Sequence, residues 1–448
     1  MPCPARVNVL VVGTGGREHA LAWKLRQSPR IGDLWVDPGA NAGLLAFGRP
    51  CPETLDPQRR FFLQRWCEKV GIQLVVIGPD NRLAEGLTDD LQKVAGCTVF
   101  GPTRAAARIE WDKAWAKQLM RQVAVPCAEG RTFDTLESAV RYVVSRDEPM
   151  VVKASGLCLG KGVFVCDGRE EALEALEQLM EKRVMGEAGA TVVIEERLEG
   201  QELSVLALVD GSTIWVLDPA QDHKRVGEGD TGPNTGGMGA YCPTPLATPE
   251  LLDLVQRDIL VPTVDALRLE GCAFRGVLYA GLMLTPGGPK VLEFNARFGD
   301  PETQTLMARL RGDLLEILWR TATGELDGAE LSFDPRTACC VSVCAQGYPG
   351  TPRSGDRIEG LEDAVAAAGP GEEVVLFHAG TARDANGALV TRGGRVLGVT
   401  ALAADLAAAQ ALANRAASLV RFEGAFFRRD IGSRVLGGAG IPGTSPRR

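Results

Sequence analysis

The chain has 448 residues, 45% of them hydrophobic, and a formal net charge of −8 at pH 7. This length can bury several cores and predicts three or four lobes. The acidic balance excludes a general nucleic-acid or membrane-binding surface, so local groups must hold any anionic ligand. The sequence has no signal peptide, no apolar run of transmembrane length and no C-x-x-C pair among its 12 cysteines. Together these features predict a reduced, cytoplasmic protein of enzyme size.

Residues 1–108 alternate between strand-like and helix-like segments. An apolar strand over 7–12 runs into a glycine turn and a helical pattern, and further strands are predicted at 34–36, 73–77 and 98–100. Strands that alternate with helices predict an open parallel α/β sheet.

The glycine turn after the first strand predicts an anion site, because N–H groups at a helix N-terminus attract anions. Gly13 and Gly15 match a dinucleotide fingerprint, but Glu18 occupies the place of its third glycine. With Arg17 beside it, the turn is expected to bind an anionic substrate rather than NAD. The strand-end loops at 38–43 and 78–80, each ordinary when taken alone, are expected at the same edge of the sheet.

Two lysines and a glycine-rich loop predict nucleotide binding in residues 109–323. Lys113 lies near the start of a predicted helix over 109–123, and Lys153 ends a strand that leads into the glycine-rich loop 155–162. A plain hairpin is the alternative, but Lys153 and Lys161 favour a loop that covers nucleotide phosphates. It is not a Walker A loop, because no Gly-Lys-Ser/Thr opens a helix.

A second strand end could complete a nucleotide slot. The strand predicted at 191–195 ends in Glu195-Glu196-Arg-Leu198, whose backbone could pair with an adenine edge, with Glu202 beyond it for ribose hydroxyls. Either glutamate alone would pass for an exposed charge. The glycine-rich tract 227–239, which follows Asp222 and Lys224, is predicted to be a functional loop.

The segment 290–298 carries Glu293, Asn295 and Arg297 on one face of a predicted strand. Two oxygen ligands and a guanidinium side by side are typical of a site for Mg²⁺ and phosphate. On this segment alone, a solvated edge strand with an ion pair is equally good.

In their order and spacing, these features resemble an ATP-grasp ligase. Five further motifs, at 15–20, 221–225, 230–241, 279–283 and 293–304, resemble the glycinamide ribonucleotide synthetase (phosphoribosylamine–glycine ligase) family. The resemblance runs from about residue 7 to 433. Three positions depart from the family pattern: Ser155 replaces a common Asp, Ala40 is inserted, and Asp80-Asn81-Arg82 replaces Glu-x-Pro.

The resemblance implies a multidomain fold of mixed α/β and α+β class. It places an N-terminal open parallel α/β domain at 1–108, an ATP-grasp domain at 109–323 with a mobile lid lobe at about 124–196, a mainly structural C-terminal α+β domain at 324–433, and a flexible tail at 434–448. It implies ATP and Mg²⁺ (or Mn²⁺), the small-molecule substrates glycine and 5-phosphoribosylamine, no nucleic-acid or membrane partner, and a monomer or weak homo-oligomer.

The resemblance also implies roles for individual residues. Catalysis is expected from Arg297, Lys153 and Asp222, and Mg²⁺ binding from Glu293 and Asn295. The residues expected to bind ATP are Lys113, Lys153, Gly156, Gly160, Lys161, Gly162, Glu195, Glu196, Leu198 and Glu202. Those expected to bind the other substrates are Gly15, Gly16, Arg17, Glu18, Asn41, Asp80, Asp222, Lys224 and Arg297.

Three alternatives remain at this point. Another ATP-grasp ligase with a different carboxylate substrate is disfavoured by the loop 230–241. A nicotinamide-dependent oxidoreductase lacks the third glycine and leaves 109–323 unexplained. A non-catalytic nucleotide sensor is expected to have lost some metal or phosphate residues, and all are present.

Overall fold

The structure is a computed structural model that describes residues 2–158 and 161–437. Gly160 of the predicted glycine loop and residues 438–448 of the predicted tail lie outside the described residues. No helix within the described ranges is both long and apolar enough to cross a membrane.

The N-terminal lobe is built on a parallel sheet of five strands in the order β3-β2-β1-β4-β5. Its elements are β1 Val7–Val12, α1 Gly16–Leu25, β2 Ile31–Val36, α2 Ala42–Phe47, β3 Arg49–Pro50, α3 Arg60–Val70, β4 Leu74–Ile77, α4 Asp80–Ala84, α5 Leu87–Leu91 and β5 Thr98–Phe100. The predicted parallel sheet is confirmed. Strand order reverses beside β1, where ligands of such sheets bind at the carboxyl edge.

The helix predicted over 109–123 is broken. It forms α6 Arg108–Trp111 and α7 Lys113–Gln122. At Asp112 the backbone leaves helical geometry, with φ −131° and ψ 87°, and its side chain accepts a hydrogen bond from the N–H of Trp115. An N-cap aspartate therefore starts a new helix, and Lys113 is the first residue of that helix.

The lid lobe contains an antiparallel sheet in the order β6-β9-β7-β8. Its elements are β6 Gly130–Phe133, α8 Leu136–Val144, β7 Met150–Ala154, β8 Val163–Cys166, α9 Arg169–Leu176, continued by a π-helical turn at Glu177–Glu181, and β9 Val192–Glu196. The lobe has an apolar core of its own, in which Val152, Leu176 and Ile194 are buried.

A second antiparallel sheet, in the order β11-β10-β16-β17, faces the rest of the ATP-grasp region. Its strands are β10 Gln201–Val209, β11 Ile214–Val216, β16 Gly276–Thr285 and β17 Gly288–Asn295, and its helices are α10 Pro249–Val255, α11 Val261–Leu269, α12 Glu302–Arg309 and α13 Leu314–Thr323. This sheet shares one core with the N-terminal lobe, since Leu10, Leu119 and Phe294 belong to the same buried cluster.

The C-terminal sheet has the order β12-β15-β18-β22-β19. Its strands are β12 Gln221–Asp222, β15 Gly239–Cys242, β18 Thr337–Cys344, β19 Glu373–His378 and β22 Arg395–Ala403, and the helices of this part of the chain are α14 Leu361–Ala366, α15 Leu406–Leu419 and α16 Ser433–Leu436. Two separate two-stranded sheets are formed by β13 Arg225–Gly227 with β14 Thr231–Asn234 and by β20 Thr381–Arg383 with β21 Leu389–Thr391. Two of these strands, β12 and β15, come from the middle of the chain. Asp222 therefore lies on an edge strand of the C-terminal sheet.

Two local predictions in this region are wrong. The tract 227–239 is not one loop, because β13 and β14 pair as a short hairpin within it. The Ala-rich pattern over 402–419 predicts one helix, but the helix begins at Leu406, while Leu402 lies on β22, paired with Ala338. Asp405 sets this boundary, because its side chain accepts a hydrogen bond from the N–H of Ala408.

Candidate functional site

Glu18 fills the space where a dinucleotide-binding turn has its third glycine. Its carboxylate accepts hydrogen bonds from the N–H of Gly15 at 2.7 Å and from Nε of Arg17 at 2.6 Å. A Cβ atom at Gly78 would lie 2.0 Å from Oε1 of Glu18, and one at Gly13 would lie 2.6 Å from its Cδ. The Glu18 side chain thus packs against the turns that follow β1 and β4, and a side chain at Gly13 or Gly78 would clash with it.

Arg17 and Asn41, both predicted to bind substrate, also join separate parts of the chain. Nη1 of Arg17 donates to the carbonyl oxygen of Phe298 at 3.1 Å. The amide of Asn41 donates to the carbonyl oxygens of Thr14 at 2.9 Å and His378 at 2.8 Å, while its oxygen caps α2. These side chains hold the turns in place.

A cavity of about 270 Å³ opens beside this turn. It is lined by Thr14, Gly15, Gly16, Gly39, Asn41, Asp300, Ala379, Gly380, Thr381, Arg392 and Arg395. The N-terminal turn, the turn after β17 and the C-terminal lobe all contribute. The cavity is thus partly walled by the lobe that was expected to be mainly structural.

Arg395 of that lobe joins the cavity to the hairpin region. It forms an ion pair with Asp300 at 3.2 Å and donates to the carbonyl oxygens of Gly236 and Asp300, each at 2.8 Å. Burial alone would lower the pKa of Arg395, but Asp300, together with weaker contributions from Tyr348, Cys344 and Asp222, raises that pKa. Burial alone would raise the pKa of Asp300, but Arg395 and Arg17 lower it. Both groups are therefore charged at neutral pH.

Asp222 lies between the cavity and the ATP-grasp sheet. A Cβ atom at Gly237 would lie 2.9 Å from its Oδ1, which already accepts the backbone N–H of His223 at 2.7 Å, so glycine keeps a side chain away from this carboxylate. Burial raises the pKa of Asp222 well above its usual range, Glu302 adds to the rise, and Lys224 opposes it. Glu302 in turn accepts hydrogen bonds from the hydroxyls of Tyr279 at 2.6 Å and Ser204 at 3.1 Å. Asp222 and Glu302 therefore form an acidic pair that could accommodate a cation.

Lys224 brings together residues expected to serve different ligands. Its ammonium lies 3.0 Å from Glu202 and 3.9 Å from Glu293. Burial alone would lower the pKa of Lys224, but these two carboxylates raise it well above its usual value. The predicted substrate, ribose and metal residues thus form one charged cluster.

Glu293 and Asn295 lie on the same face of β17, as alternation predicts. Gly281 is paired opposite Glu293, so no side chain on β16 covers the carboxylate. Burial alone would raise the pKa of Glu293, but Lys224, Lys113 and Lys153 lower it, which keeps this carboxylate ionised.

Within the described residues, no group of three or more His, Cys, Asp or Glu side chains could hold a metal ion. Two oxygen ligands on one strand fit Mg²⁺ that takes its remaining ligands from phosphate and water. They do not form a closed protein cage. The donor set therefore fits a cation that arrives with a nucleotide.

Arg297 lies beyond the end of β17 and is held by a residue that the sequence analysis missed. Its Nη2 lies 2.9 Å from Oε1 of Glu110 and 3.1 Å from Oδ1 of Asn295. The other oxygen of Glu110 accepts the N–H of Ala296 at 2.8 Å. Burial alone would lower the pKa of Arg297, but Glu110 and Asp80 raise it, so this buried guanidinium remains charged.

Lys153 connects the lid lobe to β17. Its ammonium lies 2.6 Å from Oε2 of Glu195 and donates to the carbonyl oxygen of Leu292 at 2.9 Å. Glu196, the next residue, pairs with Lys290 of β17 at 2.8 Å. The cleft between the two ATP-grasp sheets is therefore bridged by lysine contacts at two successive residues of β9.

The glycine loop is anchored at both described ends. The N–H of Gly156 donates to the carbonyl oxygen of Ala188 at 3.0 Å, and the carbonyl oxygen of Gly162 accepts from the N–H of Ala154 at 2.8 Å. Lys161 is exposed and Leu198 is half-buried. Both side chains are therefore at least partly accessible to solvent.

Ser155 fits its surroundings in a way that an aspartate would not. Its hydroxyl donates to Oδ1 of Asp112 and accepts from the N–H of Ala114, both at 3.0 Å, and its carbonyl oxygen accepts from the N–H of Lys113 at 2.9 Å. A carboxylate at 155 would face Asp112 at close range. Serine at 155, where the family commonly has aspartate, is therefore compatible with Asp112 as the N-cap of α7.

Three family models together match most of the chain. The N, ATP-grasp (A) and C domains of phosphoribosylglycinamide synthetase match residues 7–110, 111–303 and 338–434. The chain belongs to this family. The resemblance read from the motifs and the predicted fold class are both confirmed.

The chain is similar to named relatives along most of its length. It is 48% identical over 440 residues to a phosphoribosylamine–glycine ligase of Rhodopirellula baltica, with 96% of this chain and 98% of the relative covered. It is 44% identical over 430 residues to the human trifunctional purine biosynthetic protein adenosine-3, covering 96% of this chain and 42% of that longer protein.

Solved structures give the same family and a wider fold group. A phosphoribosylamine–glycine ligase from Thermotoga maritima has a TM-score of 0.78 at 32% identity, with 95% of this chain and 100% of that chain covered. A biotin carboxylase domain from Hydrogenobacter thermophilus, solved with magnesium ADP, has a TM-score of 0.72 at 18% identity, covering 95% of this chain and 92% of that one. The latter likeness concerns the fold alone.

Sequence reasoning missed several side chains at the site. Asp300 and Glu302 lie in the motif at 293–304, although no role was predicted for them, and Arg395 ends the turn 391–395, which resembles the family. Their place in these motifs could have identified them from the sequence. Glu110 carried no such signal, because a glutamate in a predicted helix is ordinary until the fold brings it to Arg297.

Proposed function

We propose that this protein is an ATP-dependent carbon–nitrogen ligase that joins glycine to 5-phosphoribosylamine. ATP phosphorylates the glycine carboxylate to glycyl phosphate, and the amine of phosphoribosylamine displaces phosphate. The products are glycinamide ribonucleotide, ADP and phosphate, a step of purine synthesis. Membership of the phosphoribosylglycinamide synthetase family and the names of its relatives support this reaction.

One observation carries the proposal. Glu293, Asn295 and Arg297 end the same segment, and Lys153 reaches the backbone of that segment from the lid lobe. Phosphoryl transfer needs positioning and charge neutralisation more than a covalent partner. Glu293 and Asn295 would hold Mg²⁺ or Mn²⁺, which neutralises phosphate charge when bound. Arg297 would meet the acyl phosphate.

The nucleotide would lie between the two ATP-grasp sheets. Lys113 and Lys153 would neutralise its phosphate oxygens, and the segment 195–198 and Glu202 would receive adenine and ribose. The loop 156–162, with Lys161, would close over the phosphates and keep water from the acyl phosphate. The separate core of the lid lobe supports its movement as one body.

The other two substrates would meet at Asp222. Its carboxylate, beside Glu302 and left open by Gly237, suits the ammonium of glycine, with Lys224 nearby. Phosphoribosylamine would occupy the cavity of about 270 Å³, with its phosphate at the N–H of Gly16, the first residue of α1, because Glu18 already accepts the N–H of Gly15. Arg392 and Arg395 add positive charge to that cavity. Arg17, Glu18, Asn41 and Asp80 would shape it.

The remaining expectations belong to the same proposal. They are a cytoplasmic location, small-molecule substrates without nucleic-acid or membrane partners, and a monomer or weak homo-oligomer. The division into functional units at 1–108, 109–323 and 324–433 is proposed with them.

The deciding experiment measures phosphate release from ATP and Mg²⁺ with glycine and freshly generated phosphoribosylamine, each omitted in turn. Wild type is compared with Arg297→Ala and with Arg268→Ala, a control whose arginine pairs with Asp265 at the surface. Release should need both substrates. It should fall about 10²–10³-fold in Arg297→Ala, because a preorganised charged donor is lost, and stay unchanged in the control.

Other outcomes would favour the alternatives. Release with a different carboxylate in place of glycine would keep the ATP-grasp chemistry and replace the substrate. ATP binding without release under any of these conditions would favour a nucleotide sensor.

A further inference from the structure

A buried charged triad joins α7 to the lid lobe. Nζ of Lys117 lies 2.5 Å from Oε1 of Glu195 and donates to the carbonyl oxygen of Ala128 at 2.7 Å. The other oxygen of Glu195 lies 2.6 Å from Nζ of Lys153. The side chains of Lys117, Glu195 and Lys153 are 4%, 4% and 8% exposed, so water screens these contacts little.

The triad carries more positive than negative charge. Two ammonium groups share one carboxylate, and no other ion pair of Lys117 or Lys153 is found among residues 2–158 and 161–437. A buried charge without a full partner is costly unless an opposite charge approaches it. The ammonium of Lys153 also donates to the carbonyl oxygen of Leu292, the residue before Glu293, so Lys153 is the lysine of the triad that reaches β17.

The geometry assigns each oxygen of Glu195 to a different lysine. Lys117 is fixed from its other side by Ala128, so it holds the carboxylate in one orientation. Without Lys117, both carboxylate oxygens could turn to Lys153 and form a neutral pair. Such a pair would weaken the attraction between Lys153 and a phosphate group.

We propose that Lys117 is a positioning residue for the nucleotide. By taking one oxygen of Glu195, it keeps the ammonium of Lys153 directed into the cleft with part of its charge uncompensated. The inference rests on the proposed role of Lys153 in binding nucleotide phosphates. Lys117 itself touches neither nucleotide nor substrate in this proposal.

The competing explanation is that Lys117 only ties α7 to β9. Loss of a tie would disorder the cleft and weaken the binding of every part of the nucleotide. Loss of a positioning residue would weaken phosphate binding alone. The ratio of ADP affinity to adenosine affinity therefore separates the two roles.

The test measures dissociation constants for ADP and adenosine by competition with a fluorescent ATP analogue, without glycine or phosphoribosylamine. Lys117→Met and Lys117→Gln remove the charge, and the glutamine can keep one hydrogen bond should the methionine variant not fold. Lys117→Arg keeps the charge. Lys182→Met, which breaks a half-exposed lid-lobe pair with Glu177, is the matched control.

The Kd of ADP should rise about tenfold in Lys117→Met and Lys117→Gln, roughly the effect of one charge-assisted hydrogen bond. The Kd of adenosine should stay unchanged, and Lys117→Arg should bind ADP like wild type. Equal weakening of ADP and adenosine, or no weakening of either, would overturn the inference. If the variants bind ADP more weakly and adenosine as before, the positioning role of Lys117 is supported even if the wild-type protein shows no ligase activity. The two proposals can therefore fail separately.

Discussion

The nucleotide cleft and the cavity beside the N-terminal turn are built in different ways. Charged residues of the cleft come from segments that the sequence already marks, on β7, β9 and β17. The cavity is assembled from residues as far apart as Gly15, Asp300 and Arg395. A short motif can specify the cleft, whereas only the folded arrangement of three lobes specifies the cavity.

The two regions also differ in what holds their charges. In the cleft, Lys153 and Lys224 are held by glutamate carboxylates, and the proposed metal site would be completed only when a nucleotide binds. In the cavity, Arg395 is held by one aspartate and by backbone carbonyl oxygens, which fix its position more fully. We therefore expect substitutions in the cleft to act on chemistry and those in the cavity to act on one substrate.

Glu293→Gln should give the largest effect and tests the cleft. The amide keeps the size of the side chain but loses the charge that binds a divalent cation, so phosphate release at saturating substrates should fall about 10²–10³-fold. Raising the Mg²⁺ concentration should restore part of the rate. Glu250→Gln, on the exposed first turn of α10, is the control. A variant with wild-type rate and Mg²⁺ dependence would remove Glu293 from the metal site.

Arg395→Met should give an intermediate effect and tests the cavity. Loss of the ion pair with Asp300 and of two carbonyl contacts should raise the KM for phosphoribosylamine roughly tenfold, the effect of a lost charge-assisted contact. The affinity for ADP should not change. Arg383→Met is the control, because Arg383 lies in the same lobe and its one side-chain hydrogen bond within residues 2–158 and 161–437 goes to the Gly387 carbonyl. Equal losses toward both ligands would contradict the separation of the two regions.

The sequence predicted the parallel N-terminal sheet, the ATP-grasp strands and the order of the charged residues, because strand periodicity and motif spacing are local properties. It could not predict that β12 and β15 join the C-terminal sheet, since that pairing depends on residues about 100 positions away, such as Tyr241 opposite Cys339. For the same reason it missed Glu110 and Lys117. Their partners, Arg297 and Glu195, are distant in the chain.

The smallest expected effect is that of pH on stability. It bears on the same comparison, because none of the three histidines lies in the lid lobe, which forms one side of the cleft. His19 and His378 lie where the N- and C-terminal lobes meet, and the backbone N–H of His378 donates to the ring Nδ1 of His19 at 2.8 Å. Burial, aided by His378, lowers the pKa of His19 from 6.5 to about 3. Burial, aided by Arg383, lowers the pKa of His378 to about 4.

A histidine whose pKa is lowered by folding stabilises the protein above pH 6.5 and loses this contribution as the pH falls toward its folded value. At pH 5.5 each buried histidine should cost about 1 kcal/mol of unfolding free energy. Tm should therefore fall between pH 7.5 and 5.5, and His19→Gln should reduce the slope. Hydrogen exchange should increase around the buried histidines before it increases in the lid lobe, which contains no histidine. These sites are the boundary between the N- and C-terminal lobes and the surroundings of His223 after β12, whose pKa burial lowers to about 3. Earlier exchange in the lid lobe would place the acid-sensitive groups in the cleft instead.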